Sequence, residues 1–336
     1  MLILLAAVAL QQSTPVLAGL PTQAPADRAK RAHTYSIVAW DSATGDLGVA
    51  VQSKFPNVGG IVPWARAGVG AVATQALSNT DYGEKGLALL AMGATAHEAM
   101  AILTRDDARA AQRQAGMVDA RGNAASWTGD STFDWAGGRV GGAARRDGGK
   151  GVLITGRHYS AQGNILVSDA TVRALAETFE RTTGALADRL MAALKAGQAA
   201  GGDRRGMESA ALLVVRANAG YMGANDRFID IRVYDHAQPI AELERLYVLH
   251  KLYFFPSRAE DLIDITPDVV RRLEPILLRE PVGQPQKWLA APQGRATPAF
   301  LQALENFMYW ENYDVRVRND GKIDRVVLDD VLQRRR

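Results

Sequence analysis

From Thr34 onward, apolar and polar positions alternate as they do in β-strands. "YSIVAWD" puts Tyr35, Ile37 and Ala39 on one face, "SATGD" supplies a turn, and "LGVAVQS" reads as a second strand. "GGIVPWARAGVGAVATQA" adds two short strands around "RAG", so the first four strands are expected as consecutive antiparallel hairpins. "YGEKGLALLAMGATAHEAMAILTRDD" has helical spacing and breaks into two pieces around Gly93. "RQAGMVDARGNAASWTG" reads as a hairpin turning at "RGN", and "GGRVGGAARRDGGKG" as a glycine-rich loop. A helix then starts in "SDATVRALAETFE". Ser168 can cap it, and Val172, Leu175 and Phe179 form its apolar stripe. After a break at "TTG", Leu186, Leu190 and Leu194 mark a further helix, and "SAALLVVRA" and "FIDIRVYD" return to strand.

Strands, helices, strands, helices, strands is the order of an α+β domain in which helices pack on antiparallel sheets. A different unit follows. "PIAELERLYVLHKLYFF" is an amphipathic helix, and Pro256 with the acidic stretch behind it marks a boundary. Beyond it, "TPDVVRRL" at Thr266 and "TPAFLQALENFMYWEN" at Thr297 share one helix-start device, a capping threonine followed by proline at the first turn. Phe300, Leu304, Phe307 and Met308 make one stripe, expected to be core, and "RNDGKIDRVVLDDVL" gives a turn and a last helix. The expected organisation is a leader over 1–18, a spacer or propeptide over 19–33, a main domain over 34–247, a linker over 248–261 and a small, mainly helical domain over 262–336.

Composition narrows the function. The chain has 336 residues, with 47% hydrophobic and 22% charged, so it can bury a large core. The net charge of +3 comes from short, scattered basic clusters with no interleaved aromatic residues, which argues against a nucleic-acid partner. The absence of cysteine excludes disulfides, thiolate zinc sites, iron–sulfur clusters and cysteine nucleophiles. "LILLAAVAL" at 2–10 is too short to span a bilayer, and "VLA" at 16–18 has the small-residue spacing of a signal-peptidase site. No Lys or Arg separates Met1 from the apolar run, so either the α-amino group alone supplies the positive end or the true start lies upstream. A secreted or periplasmic protein is expected, and not an integral membrane protein, because no later segment has ~20 uninterrupted apolar residues.

Familiar catalytic devices are missing. "GGKG" has neither the preceding glycine nor the Ser/Thr of a phosphate loop, and "NDGKID" lacks the ligand ladder of a calcium loop. The five histidines never fall at paired ligand spacing, and no G-x-S-x-G occurs, so no metal, cofactor or serine elbow is expected. A hydroxyl can be activated another way. A threonine at the first position of a mature chain has its own α-amine, of pKa ~7.7–8, as the base.

"TYSIVAWDSATGDLGVAVQS" from Thr34, "GIVPWARAGVGAVATQA", "QGNIL" and "GQAAGGDRRGMESAALLVV" together resemble the DUF1028 family, placed in the N-terminal-nucleophile (Ntn) hydrolase superfamily. The resemblance runs from Thr34 to about Tyr247. It implies a four-layer αββα sandwich and a small amide or peptide substrate, in a superfamily that often pairs subunits into homo-oligomers. Thr34 matches the nucleophile. The resemblance also implies Asn164 and Gln162 as oxyanion donors, Arg66 as a cation favouring the neutral amine, and Ser53, Lys54 and Gln75 beside the nucleophile. Asp203, Arg204 and Arg205 are implied as binders of a substrate carboxylate. The stretch from 262 to about 333 is similar to a peptidoglycan-binding domain; Tyr309, Trp310 and Tyr313 are the candidate aromatics for gripping a cell wall, and their plainer reading is core.

Plainer readings stand beside these. Ser53 caps a strand, Asn164 satisfies a turn, and the Asp203–arginine cluster is an ion pair holding the start of a strand. The alternative function is a non-catalytic cell-wall binding protein on an inactive scaffold. The sequence departs from the family pattern at three places. Thr34 follows His33, with Arg31 close behind, so a second cleavage is required. Trp40 replaces the arginine of "SIVARD". Residues 137–157 look like an insertion.

Overall fold

The computed structural model describes residues 34–279, 283 and 286–334, and the expected leader and spacer lie outside the described residues. In chain order the main strands are β1 (Thr34–Trp40), β2 (Leu47–Ser53), β3 (Pro63–Arg66), β4 (Gly70–Ala76), β5 (Arg113–Asp119), β6 (Asn123–Thr128), β7 (Gly137–Val140), β8 (Arg146–Gly148), β9 (Val152–Arg157), β10 (Tyr159–Asn164), β11 (Ser209–Val215) and β12 (Arg227–Val233). They form a seven-stranded sheet, ordered β12-β11-β2-β1-β10-β7-β8, and a five-stranded sheet, ordered β3-β4-β5-β6-β9. All the pairings in both sheets are antiparallel.

The period of two decides which side chain enters which core. On β1, Tyr35, Ile37 and Ala39 face α3 (Ala170–Arg181), α4 (Leu186–Ala199) and α5 (Pro239–Phe254), in one cluster with Leu175, Phe179, Leu190, Leu194 and Leu243. Val38, one residue out of phase, joins Val49, Val51, Ala73, Val118 and Leu213 between the two sheets. On the five-stranded sheet, Val72, Ala115 and Met117 pack under α1 (Asp81–Ala91) and α2 (Ala96–Arg105), against Tyr82, Leu90, Met100 and Leu103. The helical stripes expected at Val172/Leu175/Phe179 and Leu186/Leu190/Leu194 are buried. The chain therefore has the mixed α+β architecture that the order of elements predicts.

One local expectation is sharpened and another fails. The first four strands are the consecutive antiparallel hairpins expected, β1–β2 and β3–β4, but not in one sheet. Residues 54–62 carry the chain across, held by Val58 N donating to Ser209 Oγ at 3.0 Å. A Cβ at Gly59 would lie 2.8 Å from that of Ala211, which shows how closely the crossing segment hugs the first sheet. The glycine-rich stretch is not a loop either. It contains β7 and β8, and its glycines permit close packing: a Cβ at Gly138 would stand 2.3 Å from Ser126 Oγ.

The C-terminal part has a second core. It is built by α6 (Pro267–Leu277), α7 (Pro298–Trp310) and α8 (Arg325–Arg334), with a two-stranded sheet of β13 (Leu262–Asp264) and β14 (Lys322–Asp324). Thr266 and Thr297 cap α6 and α7 as expected, accepting from Val269 N and Phe300 N, with Pro267 and Pro298 in the first turn. Phe300, Leu304, Phe307 and Met308 are buried.

The expected linker over 248–261 begins inside a helix. α5 runs on to Phe254 and supplies Leu252 to the second core, while Leu243 and Tyr247 belong to the first. Arg316 fastens this junction. Its guanidinium donates to the carbonyls of Lys251 and Leu252 at 2.8 and 2.7 Å and pairs with the fully buried Asp324. Lys251 O also accepts from Phe255 N at the helix end, whereas Leu252 O lies in the last turn, where carbonyls lack a partner within the helix and a cation is favoured. Among the described residues no helix is long and apolar enough to cross a membrane.

A candidate site at the head of the central strand

β1 lies between β2 and β10, and its first residue, Thr34, stands opposite Ser53 on one side and Asn164 on the other. Thr34 is 3% exposed. Its Oγ1 lies 3.1 Å from Ser53 Oγ. Along the faces turned toward the other sheet, the apolar contact through Val38, Val51 and Ala73 gives way to polar side chains at this end. Thr34, Ser36, Ser53, Gln75, Gln114, Thr128, Ser160, Gln162 and Asn164 are all buried there.

Burying so many polar groups is tolerable only when they satisfy one another. Gln75 Nε2 and Asn164 Nδ2 donate to the Thr34 carbonyl at 3.1 and 3.4 Å, and both also donate to Gln114 Oε1 at 2.8 and 2.9 Å. Gln114 Nε2 donates in turn to Gly163 O, Thr128 Oγ1 and Gly137 O. Ser36 Oγ donates to Gln75 Oε1 at 2.6 Å and accepts from Gln162 Nε2 at 2.7 Å, and Ser160 Oγ donates to Gln162 Oε1 at 2.7 Å. Gly116 leaves room for Gln162, since a Cβ there would fall 2.1 Å from Gln162 Oε1.

The structure thus brings Thr34, Ser53, Gln75, Gln162 and Asn164 into one region. The two expected oxyanion donors differ in it. Gln162 Nε2 is spent inside the core, on Ser36 Oγ and, at 3.4 Å, on Ser36 O. Asn164 Nδ2 has one short bond, to Gln114, and one long one, to the Thr34 carbonyl.

Arg66 is not brought to this region. It is exposed at the far end of β3, paired with Gly70, whereas the β4 residue that touches Thr34 is Gln75. Gln75 lies five residue steps along β4 from Gly70, roughly 17 Å at ~3.4 Å per residue.

Asp203 acts as a clamp. It accepts from Lys54 N at 3.1 Å, Arg205 N at 2.8 Å and Arg205 Nη2 at 3.3 Å, tying its loop to the end of β2. Burial raises its carboxyl pKa above the ordinary value, and the Arg205 and Lys54 contacts oppose the rise. Arg204 donates to Leu166 O at 3.3 Å, and Lys54 Nζ to Met207 O at 3.3 Å with Glu208 at 3.6 Å. These contacts fit the plainer reading of the cluster, an ion pair at the start of a strand.

The residue that the sequence did not single out is Gln114. Its signal was a polar side chain on the inward face of "RQAGMVD", in phase with Gly116 and Val118. Tyr313 takes the plainer of its two readings. It is 1% exposed and donates to Asp330 Oδ2 at 2.5 Å, so it is core and no part of an outer aromatic face. Among the described residues no three His, Asp or Glu side chains are grouped to hold a metal ion.

A family model described as "Family of unknown function (DUF1028)" matches residues 34–243, and one described as "Putative peptidoglycan binding domain" matches residues 289–330. The crystal structure of a DUF1028 protein from Silicibacter pomeroyi is similar, with a TM-score of 0.55 and 30% sequence identity over 65% of this chain and 89% of that one. No curated protein matches.

Proposed function

This chain belongs to the DUF1028 family, and from that membership we propose that it is a secreted amidohydrolase of the Ntn type, with Thr34 as its N-terminal nucleophile. The observation that supports this most is the placement of Thr34. A hydroxyl-bearing residue heads the central strand, buried beside a second hydroxyl, with its carbonyl held by two amides. Helices on the outer face of each sheet, with the sheets packed on each other, are compatible with the four-layer αββα sandwich of that superfamily. The reading needs the bond before Thr34 to be cut, which makes residues 1–33 a leader and a propeptide.

In the proposed reaction the Thr34 hydroxyl adds to the carbonyl carbon of a small amide or peptide, and the free α-amine takes the hydroxyl proton. The tetrahedral oxyanion draws on Asn164 Nδ2, which exchanges its longer contact for it. Collapse expels the leaving amine, which carries away the proton held by the α-ammonium. Water then hydrolyses the Thr34 ester, releasing the acid and restoring the hydroxyl.

N-terminal sequencing and intact mass of the exported protein test this reading. A first residue of Thr34 is the expected result, with loss of hydrolysis in Thr34→Ala. A mature chain that keeps residues 19–33 sinks it.

A second reading has support of its own from the match at 289–330. The C-terminal domain binds peptidoglycan, on a face where Tyr309 and Trp310 are 49% and 46% exposed and Trp288 leans on Trp310 with ring centroids 5.9 Å apart. Because α5 contributes to both cores, cutting the chain near residue 260 would damage the fold. Sedimentation of the full chain with purified cell wall, against Trp310→Ala in the full chain, is the cleaner measurement. Equal sedimentation by both rules out this face.

A further inference from the structure

The buried amide network has a direction that its outer partners fix. Gln114 Nε2 lies 2.8 Å from Gly163 O and 3.2 Å from Gly137 O. Backbone carbonyls only accept, so the nitrogen and not the oxygen must face them. Gln114 Oε1 is therefore left to accept from Gln75 Nε2 and Asn164 Nδ2. Each of those groups has one proton remaining, and both aim it at the Thr34 carbonyl. The far end of Gln75 agrees, since its Oε1 accepts from Ser36 Oγ.

Two N–H dipoles thus converge, positive end first, on the carbonyl bonded to the carbon that carries the Thr34 nitrogen. Positive dipole ends near an ammonium disfavour its protonated form. Among the described residues, the charged groups near this end are engaged. On the β2 and β11 side, Lys54 pairs with Glu208, Asp203 with Arg205, and Arg204 reaches Leu166 O. At the start of β5, Arg113 pairs with Asp107. The task that the sequence reading gave to Arg66 thus passes to neutral amides.

We infer that Gln114 is a positioning residue that keeps the Thr34 α-amine unprotonated at neutral pH, by holding Gln75 and Asn164 with their N–H groups on the Thr34 carbonyl. The inference rests on the N-terminal-nucleophile reading and deepens it. Gln114 touches no reacting atom. It sets the polarity of the two amides that stand beside one.

The test uses the full chain with residues 31–33 replaced by a protease site whose cleavage leaves Thr34 first. The α-amine is titrated by NMR with 15N-labelled threonine. It should titrate about one unit, tenfold in proton affinity, below the ordinary α-amine range of ~7.7–8. Gln114→Met, similar in volume but without an amide, should return it to that range, and the isosteric Gln114→Glu should raise it further. A merely structural residue would lower the melting temperature and leave the amine where it was.

Acetylation of Thr34 by p-nitrophenyl acetate, followed by mass spectrometry against pH, separates the two layers of the proposal. Acetylation with an ordinary amine in the wild type, or with an amine unmoved in Gln114→Met, overturns the inference and leaves the nucleophile reading standing. No acetylation of Thr34 at any pH overturns the nucleophile reading and the inference with it.

Discussion

Thr34 and Ser53 face each other across the β1–β2 register with their hydroxyl oxygens 3.1 Å apart, both buried. Either can be the donor. The pair predicts coupling: Ser53→Ala and Thr34→Val should each cost about 1 kcal/mol of stability, from the loss of this hydroxyl–hydroxyl contact. The double variant should cost clearly less than the sum, measured by urea denaturation. Strict additivity would mean that the two hydroxyls do not interact in solution.

Gly116→Ala should be costly although it adds a single methyl. The new Cβ would stand 2.1 Å from Gln162 Oε1, and Gln162 cannot swing away without losing Ser36 and Ser160. A loss of about 1–3 kcal/mol is expected. In a Gln162→Ala background the same substitution should cost much less. An equal cost in both backgrounds would place the clash elsewhere.

The acid side of the stability curve should report Asp107. Burial works to raise its pKa, but hydrogen bonds from Arg113, from Arg109 N and from Asn79 outweigh that and bring it down to about 2. A depressed carboxyl stabilises the fold above its unfolded pKa of ~3.9, and that contribution disappears as pH falls through the folded value. Asp107→Asn should therefore lose about 2 kcal/mol at pH 7, with the gap to wild type closing between about pH 4 and 2. Denaturation at a series of pH values reads it directly. A gap that stays constant to pH 2 would contradict the ion pair.

Arg316→Met should destabilise the C-terminal core by about 3–5 kcal/mol, because Asp324 is left buried and uncompensated. Adding Asp324→Asn should recover part of that loss. Differential scanning calorimetry would show it, and a thermogram unchanged by Arg316→Met would mean that the clamp contributes nothing.

Much of this fold could be read from periodicity. The alternation that begins at Thr34, the capped helices at Thr266 and Thr297, and the stripes under α3 and α4 are local signals set by side-chain spacing. The location of the β2–β3 break was not legible, because a hairpin and a crossing between sheets use similar turn residues. Pro56 and Gly59 mark the place only once the second sheet is known. Nor did the strands in 137–148 announce themselves, since their glycines serve a neighbour, Ser126, that is close in space and distant in sequence. At the candidate site, the small and polar residues near Thr34 were visible singly. Gln114 was not, because its role exists only when two sheets face each other. Arg66 was misplaced for the matching reason: which end of β3 meets the site depends on how the second sheet sits on the first. Tyr313 lies past the end of α7, so helical spacing did not decide between core and surface.

α5 is shared by two cores, and this has a mechanical consequence. A module on a slack tether searches a volume, and its partner meets whatever it grips at any distance and angle. A helix with side chains buried in both cores is a ruler. The Tyr309–Trp310 face and the start of β1 are tied through one helix, so on the proposed function material caught on that face would reach Thr34 from a fixed direction.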